Sequence, residues 1–195
     1  MKVGTKFLDK KETGLLVIDV QEKLLPGVES QQEICNTLVK AIKGFQIFQL
    51  PIVVTEQYPK GLGETVSMIK NCLGDKQKYY EKTSFSCVRN PKIKDVLVNS
   101  SVSQWVLVGI EAHVCILQTA KDLLEIGKDV TILNDAVGSR SIYDFSTAIG
   151  EFRDAGVRVT SLETALFELL GDSKAPEFKA ISALIQEMSC VGCDC

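Results

Sequence analysis

A single α/β domain is the fold class predicted for this chain: a mostly parallel sheet of five or six strands with helices on both faces, in three α/β/α layers of Rossmann-like kind. Three observations predict it. Short apolar, β-branched runs alternate with longer segments of helical period along the chain. Each run is followed by a helix-length segment, which implies crossover connections and therefore parallel strand pairing. Finally, 195 residues without internal repeat, low-complexity linker or composition break suit one well-buried core. The domain is expected over residues 10–188, with a Cys-rich tail over 189–195 expected to be disordered.

The elements follow in order. Gly14 to Val20 reads as a buried strand. From about Glu29 to Leu50, Ile34, Leu38, Ile42, Phe45 and Phe48 recur on one helical face. Pro51 marks the entry to a strand over 52–55, and Pro59, Gly61 and Gly63 place a loop over 56–63. A short helix is expected over 64–72, and Pro91 opens another near 91–99. Trp105 to Gly109 is a strand, and 114–126 a helix closed by Gly127. Residues 130–133 form a strand, 143–155 a helix closed by Gly156, and 157–160 a strand. Helices near 162–170 and 176–188 complete the pattern.

Composition narrows the function. The chain is 45% hydrophobic and 24% charged, with net charge −3, so it has no electrostatic footprint for nucleic acid or anionic membrane. No apolar run approaches bilayer length, and the first dozen residues show neither a signal core nor an Arg-rich transit pattern. A cytoplasmic location is expected. Seven cysteines, an odd number without a signal peptide, favour reduced thiols over a disulfide framework. The single histidine, His113, argues against a His-rich metal site or a Ser-His-Asp triad.

Parallel sheets bind ligands at the carboxyl ends of their strands. The residues there are Asp19 with Gln21, Glu56-Gln57-Tyr58, Glu111 to Cys115, and Asn134-Asp135. Cys115 stands out, because it falls near a predicted helix start where backbone N–H groups stabilise a thiolate or an oxyanion. Asp19 follows four apolar residues, a costly place for a carboxylate unless it is paired. Lys82 lies in an aromatic-rich stretch, Tyr79 to Ser86. Each alone has an ordinary reading: a buried small hydrophobe, a turn-capping aspartate, a solvated lysine. Together they supply a nucleophile, a proton acceptor and a cation.

These residues resemble the isochorismatase-like cysteine hydrolases. The pattern is Leu16-Val17-Ile18-Asp19-Val20-Gln21, then Glu81-Lys82-Thr83-Ser84-Phe85-Ser86, then Gly109 to Cys115 as Gly-x-x-x-x-x-Cys. Within that family the animal isochorismatase domain-containing proteins are the most similar, through Thr55 to Gly63, Gly109-Ile110-Glu111-Ala112 and Phe178-Lys179-Ala180-Ile181. The resemblance implies Cys115 as nucleophile, Asp19 as general base and Lys82 as electrostatic partner. It also implies a cis peptide between Ile110 and Glu111, turning the Glu111 N–H, with that of Cys115, toward a developing oxyanion. Gln57, Tyr58 and His113 are expected to line or rim the pocket.

The resemblance departs from the nicotinamidases after the second strand, where Gln57, Tyr58 and Pro59 replace metal-binding histidines. Neither metal nor other cofactor is expected. The expected activity is metal-independent hydrolysis of a small amide-like substrate, with a catalytically silent interaction or scaffold protein as the alternative. Nuclease activity ranks last, for want of a basic surface and paired metal-binding carboxylates. By the same resemblance the chain is expected to form a homo-oligomer, a dimer or higher, with 143–170 as the contact region. Cys190, Cys193 and Cys195 fall short of a closed zinc site.

Overall fold

A computed structural model describes residues 6–187. Six strands form one sheet: β1 (Thr13–Ile18), β2 (Ile52–Gln57), β3 (Tyr79–Lys82), β4 (Gln104–Ile110), β5 (Asp129–Gly138) and β6 (Arg158–Thr160). Their order is β3-β2-β1-β4-β5-β6, and every pairing is parallel. The eight α-helices among the described residues are α1 (Gln31–Ile47), α2 (Pro59–Leu62), α3 (Ser67–Leu73), α4 (Pro91–Asn99), α5 (Leu117–Glu125), α6 (Ile142–Asp154), α7 (Leu162–Leu170) and α8 (Phe178–Gln186).

Strand alternation divides the core into two layers. In β1, Leu15 and Val17 face α1, α7 and α8, where Leu38, Phe45, Leu166 and Ile181 are buried. Leu16 and Ile18 face the opposite layer, where Ile93, Leu97, Leu123 and Phe152 come from α4, α5 and α6. Both faces of the central strand are therefore dry, which explains why β1 reads as a continuous apolar run rather than an alternating one.

Three departures from the sequence reading have physical reasons. β3 was not predicted as a strand, because an edge strand paired only with β2 leaves Tyr79, Tyr80 and Glu81 partly or fully exposed and shows no apolar signature. β5 extends beyond 130–133 to Gly138, passing through polar Asn134-Asp135, because pairing with β4 resumes past a register shift, Gly109 against Val137 and Ile110 against Gly138. The helix expected over 114–126 begins as a π-helical turn over Ala112–Ile116, and α5 follows at Leu117. Cys115 thus sits inside a wide turn rather than at a regular α-helix start. The 189–195 tail, with Cys190, Cys193 and Cys195, lies outside the described residues.

Candidate active site

The strand order reverses between β1 and β4: the chain builds outward to β3, then crosses back to the other side of β1. A crevice opens at such a switch point, at the carboxyl ends of the two strands. Asp19 follows β1 directly, and Cys115 follows β4 within one turn. The sheet's connectivity therefore brings these two residues together across almost a hundred positions of sequence.

Local backbone geometry aims them. Asp19 has φ 54°, a left-handed conformation that aspartate tolerates better than most residues and that ends the strand abruptly. Gly109 has φ 116°, and a Cβ there would lie 2.1 Å from the Ile18 carbonyl oxygen. Only glycine lets β4 run this close to the end of β1. The Ile110–Glu111 peptide is cis, at the bond the resemblance indicated. The π-helical turn that follows has the Ile116 N–H reaching the Glu111 carbonyl at 3.3 Å.

Lys82 arrives from two strands away. β3 stands about 10 Å from β1 across β2, a span that the lysine side chain, its hydrogen bond and the Asp19 carboxylate bridge together. Its Nζ donates to Asp19 Oδ2 at 2.6 Å, to Gln57 Oε1 at 2.7 Å and to the Ser84 carbonyl at 3.3 Å. All three ammonium protons are thus used, and neither ionic side chain is exposed to solvent. Asp19 Oδ1 accepts from Thr55 Oγ1 at 2.8 Å. Burial acts to lower the Lys82 pKa, but the charge of the Asp19 carboxylate and its hydrogen bond oppose this, and the ammonium titrates above its ordinary value.

Cys115 is buried. Burial, and then the facing Asp19 carboxylate, push its thiol far up; the Lys82 charge opposes this and loses. These surroundings favour a protonated thiol beside the Asp19 carboxylate over the preformed thiolate that a helix-start position suggested. A second thiol, Cys87, is fully buried in the same cluster and is pushed up to about 11 by burial. Its Sγ lies 3.9 Å from Thr55 Oγ1, and its N–H donates to Thr119 Oγ1 at 3.0 Å.

The remaining predicted residues fall around this centre. The Gln57 side chain is committed: its Oε1 holds Lys82 and its Nε2 donates to the Thr83 carbonyl at 2.8 Å. It positions the lysine instead of presenting a free amide to a ligand. Tyr58 is 54% exposed at the edge of a cavity of about 530 Å³ that also reaches Lys82 and Thr83. His113 is half-buried, its Nδ1 3.0 Å from Ser139 Oγ and its Nε2 3.9 Å from Asp144. The Glu111 side chain grips Arg140, with Nε to Oε1 at 2.9 Å and Nη2 to Oε2 at 2.7 Å. Arg140 holds the Glu111 carboxyl below its usual range.

Sequence reasoning missed Thr55, Cys87, Arg140 and the pinning role of Gln21. Gln21 is wholly buried, and its amide pairs with the Gln57 backbone, accepting its N–H at 2.7 Å and donating to its carbonyl at 3.0 Å. A polar residue two positions after the strand-end aspartate was the available signal. For Thr55 and Cys87, nothing in the local sequence distinguishes them from ordinary strand and loop residues.

A sequence model of the Isochorismatase domain matches residues 13–164. The chain belongs to the isochorismatase family. Isochorismatase domain-containing protein 2 of Xenopus laevis is 36% identical over 181 residues, covering 92% of this chain and 86% of the relative. The secreted isochorismatase effector Isc1 of Phytophthora sojae is 41% identical over 180 residues, covering 89% and 84%. Among solved structures, that of the MAR1 ribonuclease of Caenorhabditis elegans superposes with a TM-score of 0.87 at 40% identity, covering 93% of each chain. The isochorismatase family is one of hydrolases. No helix among the described residues is long and apolar enough to cross a membrane.

Proposed function

We propose that this isochorismatase-family protein is a metal-independent cysteine hydrolase of a small amide-like substrate, with Cys115 as nucleophile, Asp19 as base and Lys82 as the electrostatic partner of Asp19. The observation that carries the reading is the buried Lys82–Asp19 pair placed against a protonated thiol. Cys115 Sγ attacks the carbonyl carbon as its proton passes to Asp19. The oxyanion that forms is met by the N–H groups of Glu111 and Cys115. The C–N bond then breaks, and Asp19 returns the proton to the departing ammonia or amine. Water attacks the thioester, Asp19 takes its proton, and the carboxylic acid leaves as the thiol is restored. A thiol raised by burial suits this scheme, because it is deprotonated only while the substrate carbonyl is present.

Metal independence is supported by the end of β2, where Gln57, Tyr58 and Pro59 stand and the Gln57 amide is already engaged. Ribonuclease activity, as in the name of the C. elegans relative, is the second reading. It has that 40% identity in its favour. Against it stand the net charge of −3 and a nucleophile suited to a carbonyl carbon rather than a phosphodiester.

A panel of small amides and carbamoyl compounds, with single-stranded RNA alongside, tests both. Ammonia release is expected with the wild type, unchanged by EDTA and abolished in Cys115→Ala and Cys115→Ser at unaltered melting temperature. Turnover retained in Cys115→Ala would sink the assignment, and RNA cleavage lost in the same variant would move it to the second reading.

A further inference from the structure

A second cavity, of about 330 Å³, lies beyond the carboxyl end of β5, between the first turns of α1 and α6. Its volume is that of a small-ligand pocket. Its apolar wall is made by Ile34, Val137, Ile142 and Phe145. The charged groups on its wall are Glu29, Glu33 and Asp135, and neither lysine nor arginine lines it. Among the described residues, none of these three carboxylates has a basic nitrogen within 4.0 Å. Asp135 spends its two oxygens on the Leu162 N–H, at 3.0 Å each, and burial raises its pKa. Glu29 and Glu33 are exposed at the rim and have no such claim on them.

We propose that this cavity binds a small organic cation with an apolar body, of the alkyl- or arylalkylamine class. The apolar body would displace water from Ile34, Val137, Ile142 and Phe145, while the ammonium faces the carboxylates at the mouth. Charge complementarity selects this occupant: an anion would meet only carboxylates, and a neutral molecule would gain the apolar wall but no ionic contact. The cavity adjoins the catalytic loop. Ser139, on its wall, holds His113 Nδ1 at 3.0 Å, and the Glu29 N–H donates to the Ser139 carbonyl at 3.2 Å. The occupant thus sits one hydrogen bond from the residue two places before Cys115. The inference concerns binding alone and is independent of whether Cys115 hydrolyses amides.

The test uses the full chain and three matched probes, phenethylamine, 2-phenylethanol and 3-phenylpropionate, followed by NMR shift mapping and calorimetry. The amine is expected to perturb Ile34, Val137, Ile142 and Phe145 saturably, the alcohol to bind at least about threefold more weakly, and the propionate not to bind. A Glu29→Gln/Glu33→Gln variant is expected to lose at least about threefold in amine affinity, and added salt to weaken the wild type likewise. An amine bound no better than the alcohol, or one that maps elsewhere, overturns the proposal. So does amine binding that disappears where the chain self-associates, since a second copy would then cover the cavity. Because the probe comparison is made on the unaltered chain, it decides the matter even if the variant folds poorly.

Discussion

Replacing Lys82 by Met should destabilise the protein by about 3–4 kcal/mol at pH 7, and the loss should shrink as the pH is lowered. At 2.6 Å the pair attracts by about 6 kcal/mol at an effective dielectric of 20, with desolvation of both ions set against it. Removing the lysine alone leaves the desolvated carboxylate with Thr55 as its hydroxyl partner. Breaking one side of a buried pair costs about 3–5 kcal/mol in general. The carboxylate has an escape, however: it can take a proton. At pH 7 that costs about 4 kcal/mol relative to an unfolded aspartate titrating near 3.9, which caps the penalty. The variant's folded state then binds a proton that its unfolded state lacks, so its stability rises relative to wild type by about 1.4 kcal/mol for each pH unit lowered. Urea unfolding of both proteins at pH 7, 6 and 5 measures this, and Lys82→Met/Asp19→Asn should recover most of the loss. A penalty below about 1 kcal/mol at pH 7, or one that stays constant to pH 5, would refute the reasoning.

Other predictions concern the same crevice. Asp19→Asn should abolish amide turnover yet bring iodoacetamide alkylation of Cys115 to lower pH, since the carboxylate that pushes the thiol up is gone; alkylation and turnover moving together would argue against Asp19 as the base. In the wild type, alkylation should be slower than that of a free thiol at pH 8 and should still climb with pH beyond about 9, where a free thiol has levelled off. The raised thiol also favours folding below the unfolded thiol pKa, a contribution lost as pH climbs past that value, so alkaline unfolding should be milder in Cys115→Ala. Arg140→Met should cost about 1 kcal/mol, discounted for an arginine that is 64% exposed. It should also lower kcat more than it raises KM if Glu111 helps form the oxyanion site. Gly109→Ala should yield little folded protein, because its Cβ would strike the Ile18 carbonyl at 2.1 Å; a soluble variant of wild-type melting temperature would contradict that geometry.

Much of the fold was legible in the sequence, because local periodicity is a local property. The α1 face of Ile34, Leu38, Ile42 and Phe45, the proline-opened α4 and the doubly buried β1 all follow from residue spacing and the aversion of apolar side chains to water. Even Asp19 announced itself, as a carboxylate at the end of an apolar run. The edge strand β3 did not, since three of its four side chains meet solvent at least in part. The π-helical turn also stayed hidden: its five residues read equally well as an ordinary helix start.

By itself, then, the sequence determined the class of fold, the strand ends that matter and a thiol in a suggestive place. Tertiary structure alone decided what that thiol is. The reversal of strand order sets β1 beside β4, so Asp19 and Cys115 come together at the strand ends, and Lys82 reaches Asp19 across β2 with its protons divided among Asp19, Gln57 and Ser84. Protonation follows from burial and from charges that only the folded chain brings within range, and these outweigh the helix-start effect that the linear sequence suggested. The folded surroundings of Cys115 therefore favour the protonated thiol over the thiolate.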